Sequence, residues 1–316
     1  MMAKTQPVTH EHDDPNRIKL QRRSGVGRER LISNAILMGP GVALLLVMSL
    51  TPIIVLLQMS FSEVTITNIL GDWPFVGLAN FTTILESNNF SAVFFQTLLF
   101  VFFVLILTMC GGFIVALLLI TNGGYSVLVQ TTLILVWTFP PVLIGVLWKF
   151  LLSSDGFINE ALLSAGALDA PIPFLSQPVT ALASIAAVTI WLGIPFAGLV
   201  LKSSILDIPR EVFESANIDG ASRGQTIMKI IIPMIRPTIL ILAVLIIVAA
   251  FKAFDLIYAM TRGGPGTSSA TLPFLGYITA FQDYEFGHAA AISVFAMMFV
   301  LALAGSYIFA LRKEQK

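Results

Sequence analysis

The chain has 316 residues, of which 56% are hydrophobic and 11% charged, and its mean hydropathy is +0.88. A soluble domain of this length needs far more charge to cover its surface, so the composition excludes a water-soluble globular protein and points to an integral membrane protein. Basic and acidic residues balance to a net charge of zero, and the single cysteine, Cys110, excludes an internal disulfide and a cysteine-ligated metal cluster.

Taken in chain order, residues 1–31 come first. They hold Lys4, Arg17, Lys19, Arg22, Arg23, Arg28 and Arg30, and little that could build a core. No short apolar stretch followed by small residues marks a cleavage site, so this segment is expected to be a retained, disordered cytoplasmic arm. His10 and His12 in the arm and the distant His288 are too scattered for a metal site. Apolar runs follow near 34–60, 92–120, 127–151, 178–201, 236–258 and 288–311. Each reaches the roughly 20 residues that a helix needs to cross a bilayer, and each is expected to be helical because hydrocarbon leaves open backbone unsatisfied. Pro40 and Pro52 in the first run, the Pro140-Pro141 pair in the third and Pro195 in the fourth each remove an internal hydrogen bond and can kink their helix. The prediction is an all-α integral membrane protein, with one membrane domain over 32–316.

The distribution of Lys and Arg sets the orientation. The arm, the segment after the fourth run (Lys202, Arg210, Arg223, Lys229, Arg236) and the end of the chain (Arg312, Lys313, Lys316) hold most of them. Loops 61–91 and 152–177 hold none, the loop after the fifth run holds only Arg262, and Lys149 and Lys252 fall within runs. By the positive-inside rule both termini and 202–235 are predicted to be cytoplasmic. The connections on the other side, such as "GDWPFVGLANFTTILESNNF" and "SSDGFINEALLSAGALDAPIPFLSQ", are expected to form short helices at the outer interface.

The polar insertion 202–235 interrupts the apolar pattern. Asp207 is a plausible N-cap and Pro209 a first-turn residue, and Ile208, Val212, Phe213 and Ala216 recur at helical spacing. Asn217, Asp219 and Gly220 break this helix, Gly220 tolerating the positive φ that a bend demands. A second short helix carries Ile227, Ile230 and Ile231, with Pro233 and Pro237 ahead of the next run. Periodicity leaves two readings open: an interfacial loop resting on lipid headgroups, or a rigid docking knob for a cytosolic partner.

The stretch "ESANIDGASRGQTIMKIIIP" resembles the EAA loop of permease subunits of binding-protein-dependent ABC importers, whose pattern is E-A-A-x-x-D-G-A, a hydrophobic run, then I-x-L-P. Glu214, Ala216, Asp219, Gly220, Ala221, Ile230 and Pro233 match, while Ser215 replaces an alanine and Ile232 the leucine. A second stretch is similar to the carbohydrate-importer branch, through Phe254, Asp255, Thr261, Gly263, Gly264, Pro265, Thr271, Tyr277, Phe281, Gly287, Ala289, Ala291 and Ser293. "GFINEAL" resembles the G-x-x-N-x-x-L of the same group, and within it the chain is more similar to the MalF/UgpA-like partner of the heterodimer. The resemblance implies a MetI-like six-helix bundle with a cytoplasmic coupling helix that docks on an ATPase through Glu214, Ala216, Asp219, Gly220 and Ala221. It implies as partners a second permease subunit, an ATP-binding cassette ATPase dimer and an extracytoplasmic solute-binding protein, within the lipid of a prokaryotic inner membrane and without nucleic acid. No cofactor is expected on this chain, ATP and Mg belonging to the ATPase, and the expected cargo is a sugar, with a glycerophosphate-type solute as the alternative.

Candidates for the substrate pathway come from charges and aromatics within the runs. Lys252 and Asp255 stand three apart in the fifth run and so are expected on one helix face. At about 1.5 Å of rise per residue they lie roughly 22 Å along the helix from Pro237, toward its outer part, where snorkelling or an ion pair also accounts for them. Trp191 and Phe196, with Trp137, Phe139 and Lys149, are softer candidates, since aromatic rings stack on sugar faces but also pack and form interfacial belts. No Asp or Glu lies near the middle of any run, which counts against an autonomous ion-coupled transporter. A membrane enzyme lacks a catalytic His, Cys or carboxylate cluster, and Gly263-Gly264-Pro265-Gly266 is no phosphate loop, since no Lys-Ser or Lys-Thr follows.

Overall fold

The computed structural model describes residues 15–120 and 124–314, and two units are distinguished, 1–55 and 56–316. The first unit consists of most of α1 (Pro15–Ser60), which contains Pro40 and Pro52 and whose part from Leu37 is long and apolar enough to cross a membrane. The expected disordered arm is therefore corrected from Pro15 onward, where the backbone is helical; residues 1–14 lie outside the described residues. Its sequence accounts for this. Lys19 to Arg23 are long-chain helix formers, and extending an existing helix avoids the cost of nucleating one.

The second unit contains, in order, α2 (Ala79–Glu86), α3 (Asn88–Leu119), α4 (Gly124–Thr138), α5 (Pro141–Leu151), α6 (Phe157–Ser164) and α7 (Pro178–Leu206). Next come α8 (Arg210–Ile218), α9 (Arg223–Thr226), a π-helical turn (Ile227–Ile231) and α10 (Ile232–Met234). The chain continues with α11 (Arg236–Phe251), α12 (Phe254–Met260), α13 (Leu272–Phe281) and α14 (Phe286–Glu314). Among the described residues, extended backbone pairs at one bridge, between Ser62 and Phe75.

The bundle is organised on the α3–α7 pair. On α3 the buried residues Phe90, Val93, Thr97, Val101, Val104, Thr108, Gly112 and Ala116 recur every three or four positions and form one stripe. Where this stripe meets α7, small residues allow the backbones to approach. A Cβ on Gly112 would lie 2.5 Å from the Ala197 Cβ, and one on Gly198 would lie 2.7 Å from Val115 Cγ1. Lipid tails are as apolar as leucine, so association within a membrane relies on such close packing rather than on expulsion of water.

Among the described residues, four helical segments have the length and composition of a membrane span: 37–60, Asn88–Leu119, Pro178–Leu206 and Arg236–Met260. The expected third span, 127–151, is corrected: it is two helices, Ser126–Thr138 and Pro141–Leu151, bent by 98° at Phe139-Pro140. The residue before a proline is pushed to extended backbone and proline lacks the N–H to continue a helix. Pro140 accordingly has φ −59° and ψ 131°, and Pro141 opens α5 in the first-turn position that tolerates it. In contrast, Pro195 is absorbed within α7, which runs unbroken to Leu206. The expected sixth span falls in α14, whose first part, Phe286–Ala302, is apolar.

Side-chain amides and hydroxyls fix the loops at the end of the bundle where α3 and α7 begin. Thr97 Oγ1 accepts from the Leu272 N–H at 3.0 Å and so docks the start of α13 on α3. Gln96 Nε2 donates to the carbonyls of Thr267 and Ala270, and Thr267 pairs with Asn89. Buried Asn159 donates to the Ser153 and Ile172 carbonyls and accepts from the Ile172 N–H, closing the 152–177 connection on itself. The Gly-Gly-Pro-Gly turn is tied by Ser269 Oγ, which bonds the Gly264 carbonyl at 2.6 Å and the Thr261 hydroxyl at 2.8 Å.

Candidate functional site

The polar insertion folds into an elbow at the end of α7. Ile205 and Ile208 are buried where the helix stops. Asp207 closes α7 and does not cap α8 as its sequence position suggested; Pro209, extended at ψ 137°, occupies that place, and no side-chain cap bond forms. Val212 and Phe213 pack against the core, and Ala216 is only 7% exposed.

The turn after α8 follows from four residues. The Ala221 N–H donates to the Ala216 carbonyl (2.9 Å) and the Gly220 N–H to the Asn217 carbonyl (3.1 Å). These are the two crossed bonds of a Schellman motif, with Gly220 at the left-handed position, φ +72°. A Cβ there meets nothing within 4 Å, so the demand for glycine is one of backbone conformation and not of space. Ser222 then starts α9 in a capping box: its N–H donates to Gln225 Oε1 (2.8 Å), and the Gln225 N–H donates to Ser222 Oγ (3.4 Å). The sequence reading missed this box, although Ser-x-x-Gln is its signature. Further on, Pro233 cannot donate back to the preceding turn, and the backbone widens to the π turn Ile227–Ile231 just before it. Buried Ile231 and Ile235 return the chain to the core.

Glu214, Asn217 and Asp219 are exposed on this elbow, beside Ile218 at 86% and Met228 at 68% exposure. Two large apolar side chains held out on a rigid turn among polar residues have the form of a contact surface. Two cross-ties lie near the base: Ser204 Oγ and Thr238 Oγ1 are 2.8 Å apart between α7 and α11, and Lys202 Nζ donates to Gln130 Oε1 of α4 at 2.7 Å.

A cavity of about 250 Å³ lies further along α7. Its walls come from Val104 and Thr108 of α3, Trp137 of α4, Pro141 of α5, Thr189, Leu192, Gly193 and Phe196 of α7, Leu245, Ile246, Ala249 and Ala250 of α11, and Lys252, Asp255 and Leu256 beyond. Trp137 and Phe196 stack with centroids 5.4 Å apart and planes 16° from parallel. Thr108 is 1% exposed, and its hydroxyl is buried without a hydrogen-bond partner. No signal in the sequence distinguished Thr108, because a threonine in an apolar helix ordinarily bonds its own backbone.

The structure thus brings Lys252, Asp255 and Phe196 to one cavity, together with Trp137. The expectation that Lys252 and Asp255 share a face of one helix is corrected. The helix breaks between them, α11 ending at Phe251 and α12 starting at Phe254, and neither side chain has an ion-pair or hydrogen-bond partner among the described residues. Trp191 stands apart from this cavity, 38% exposed and edge-on to Trp148 at 5.5 Å. Phe139, exposed, lies at the bend before α5, and Lys149 lies in the last turn of α5 away from the cavity.

Comparison with known proteins agrees with this architecture. A probable ABC transporter permease of Sinorhizobium fredii is 29% identical over 272 residues, 86% of this chain and 87% of the relative. The trehalose/maltose transport permease MalF of Thermococcus litoralis is 29% identical over 239 residues, 74% of this chain and 79% of the relative. In a crystal structure of a bacterial ABC transporter that imports the acidic polysaccharide alginate, one chain superposes with a TM-score of 0.78 at 25% identity, covering 94% of this chain and 100% of that one. Residues 109–313, which include the elbow and most of the cavity, match the family model; the chain belongs to the binding-protein-dependent transport system inner membrane components.

Proposed function

We propose that this chain forms one half of the translocation pathway of an ATP-driven sugar importer, and that it passes movement from a cytosolic ATPase dimer to the cavity. The observation that carries this is the continuity of α7. One unbroken helix supplies the cavity wall from Thr189 to Phe196 and, ten residues or roughly 15 Å further on, the base of the elbow. The cross-ties Ser204–Thr238 and Lys202–Gln130 couple α11 and α4 to the same helix, so displacement of the elbow moves three walls of the cavity together.

In this reading Glu214, Ala216, Asp219, Gly220 and Ala221 are the docking residues in different senses. Ala216, Gly220 and Ala221 shape the turn, while Glu214, Asp219 and the exposed Ile218 meet the ATPase. ATP and Mg²⁺ act on that partner, and this chain is non-catalytic. A second permease subunit completes the pore, and a solute-binding protein delivers sugar to the loops at the far end. Both termini and the elbow face the cytosol in this reading, which the distribution of Lys and Arg supports. The sugar cargo is supported by the trehalose/maltose relative and by the alginate importer.

The test is uptake by the complete importer in proteoliposomes, with the elbow's contact read in parallel. In a Cys110→Ala background, Ile218→Cys is expected to cross-link to the ATPase, and uptake is expected to require both ATP and the binding protein. Uptake that persists without the ATPase would overturn the reading.

A further inference from the structure

The span Arg236–Met260 is interrupted where local propensity gives no reason for it. Ala249-Ala250-Phe251-Lys252-Ala253-Phe254 holds no proline or glycine, and alanine and lysine are strong helix formers. The hydrogen-bond ladder nevertheless tightens and stops. The Lys252 N–H donates to the Val248 carbonyl (3.1 Å), the Ala253 N–H to the Ala250 carbonyl (3.1 Å), and the Phe254 N–H to the Lys252 carbonyl (2.7 Å). Ala253, at φ −71° and ψ 45°, lies inside this last short bond, close to an inverse γ-turn. α12 then starts afresh, and its first N–H groups have no carbonyl of their own helix to bond.

The two charged residues of the cavity lining flank this break. Lys252 follows the last residue of α11, and Asp255 stands in the first turn of α12. Neither side chain pairs with the other or with another group among the described residues. Their order along the chain favours the break. In a continuous helix an acid N-terminal to a base agrees with the helix dipole, and a base before an acid is the weaker arrangement. Across a break the preference reverses: a cation is stabilised at the carbonyl end of the first half and an anion at the N–H end of the second. Lys252 before Asp255 therefore favours two half-helices over one, a stop signal followed by a start signal.

What the break separates follows from packing. α11 is held to α7 by the Ser204–Thr238 bond. α12 instead packs on α5, so closely that a Cβ on Gly145 would lie 2.6 Å from the Ala259 Cβ. We propose that Lys252 and Asp255 are positioning residues for transport: their charges hold the span broken at Ala253, so that α11 follows the elbow while α12 keeps its place on α5. Neither residue touches the cargo in this role. The inference rests on the elbow driving α11 and adds what allows the span to yield.

The experiment reads trehalose uptake and ATP hydrolysis by the complete importer in proteoliposomes, with hydrogen exchange on the same variants. Lys252→Arg and Asp255→Glu keep the charge at each helix end and are expected to stay within about twofold of the unaltered importer. Lys252→Gln and Asp255→Asn are each expected to lower maximal uptake per ATP about two- to fivefold, with the half-saturating trehalose concentration unchanged. The exchanged pair, Lys252→Asp with Asp255→Lys, puts each charge at the helix end of its own sign and is expected to fall below both. Lys252→Leu with Asp255→Leu burdens the membrane with no charge, and its amides over 253–257 are expected to exchange at least about fivefold more slowly as the two halves join. An exchanged pair that restores uptake makes the two residues an ion pair, and a raised half-saturating concentration with maximal uptake intact makes them cargo contacts. Either result overturns the positioning role and leaves the importer reading standing. Unchanged exchange over 253–257 in the apolar variant overturns it as well. Uptake that persists without the ATPase defeats the importer reading instead, while the exchange result still decides whether the charges hold the break.

Discussion

The elbow and the cavity are built by opposite means. The hydrogen bonds that shape the elbow's turn join residues within five positions of each other: the Ala221 to Ala216 and Gly220 to Asn217 bonds, and the reciprocal Ser222–Gln225 pair. The cavity has walls from α3, α4, α5, α7, α11 and α12, residues separated by up to about half the chain. A locally encoded part keeps its shape while its surroundings move, as a lever must. A part assembled from many helices changes shape when any of them shifts, as an alternately opening site must. One helix, α7, joins them: it lines the cavity and ends at the base of the elbow.

The largest expected effect breaks the lever without touching its surroundings. Gly220→Val forces a β-branched residue to φ +72°, at a cost of at least about 1–2 kcal/mol to the turn. A Cβ there meets nothing within 4 Å, so the strain falls on the backbone of the turn and not on its packing within this chain. Uptake is expected to fall to background while membrane insertion and the melting temperature stay near normal. Gly220→Asn, which tolerates the left-handed region, is expected to keep most activity. Equal loss in both variants, measured as uptake against ATP hydrolysis, would show that the position matters for something other than the turn.

The second change acts on the cavity through packing. A valine at Gly112 would place its Cβ 2.5 Å from Ala197 Cβ and 3.0 Å from backbone, so α3 and α7 must separate. Overpacking of this kind costs about 1–3 kcal/mol. Gly112→Val is expected to lower the melting temperature of the solubilised complex as well as uptake, which distinguishes it from Gly220→Val. An unchanged melting curve would mean that the helix crossing is looser than the contacts imply.

This contrast also explains how far the sequence could be read. Gly220 was legible because its role depends on its own φ, and the Asn217-Ile218-Asp219-Gly220 pattern states a helix end. Pro140-Pro141 was legible as a disruption, but the 98° angle it produces was not, since a proline pair fixes where a helix ends and not where the next one points. Lys252 and Asp255 were legible as charges out of place. Their separation by a helix break was not, because 239–258 is apolar without interruption apart from Lys252 and Asp255 and contains no proline or glycine. Thr108 was invisible: what distinguishes it is a missing bond, and only coordinates reveal an absence.

A smaller effect sharpens the account of the elbow. Ser222→Ala removes one half of the capping box at an exposed helix start, which costs about 1 kcal/mol. The Schellman turn before it remains, so uptake is expected to decline several-fold rather than vanish. Hydrogen exchange should show faster exchange confined to α9 and the following turn. If protection falls equally in α8, the two halves of the elbow are one cooperative unit.

The smallest expected effect lies where lever and cavity meet. Ser204 and Thr238 hold α7 to α11 through a single half-buried hydrogen bond of 2.8 Å, worth about 0.5–1.5 kcal/mol. Lys202–Gln130 makes a second tie from the same end of α7 to α4, so neither bond alone determines whether the bundle folds. Ser204→Ala and Thr238→Val should each leave ATP hydrolysis nearly unchanged and lower the sugar moved per ATP, because hydrolysis is felt at the elbow before the tie and uptake is read after it. If the tie transmits force, the double variant loses no more than either single one, since each already removes the same bond. Additive losses would mean that the two hydroxyls act separately and that the cavity follows the elbow through the body of α7 alone.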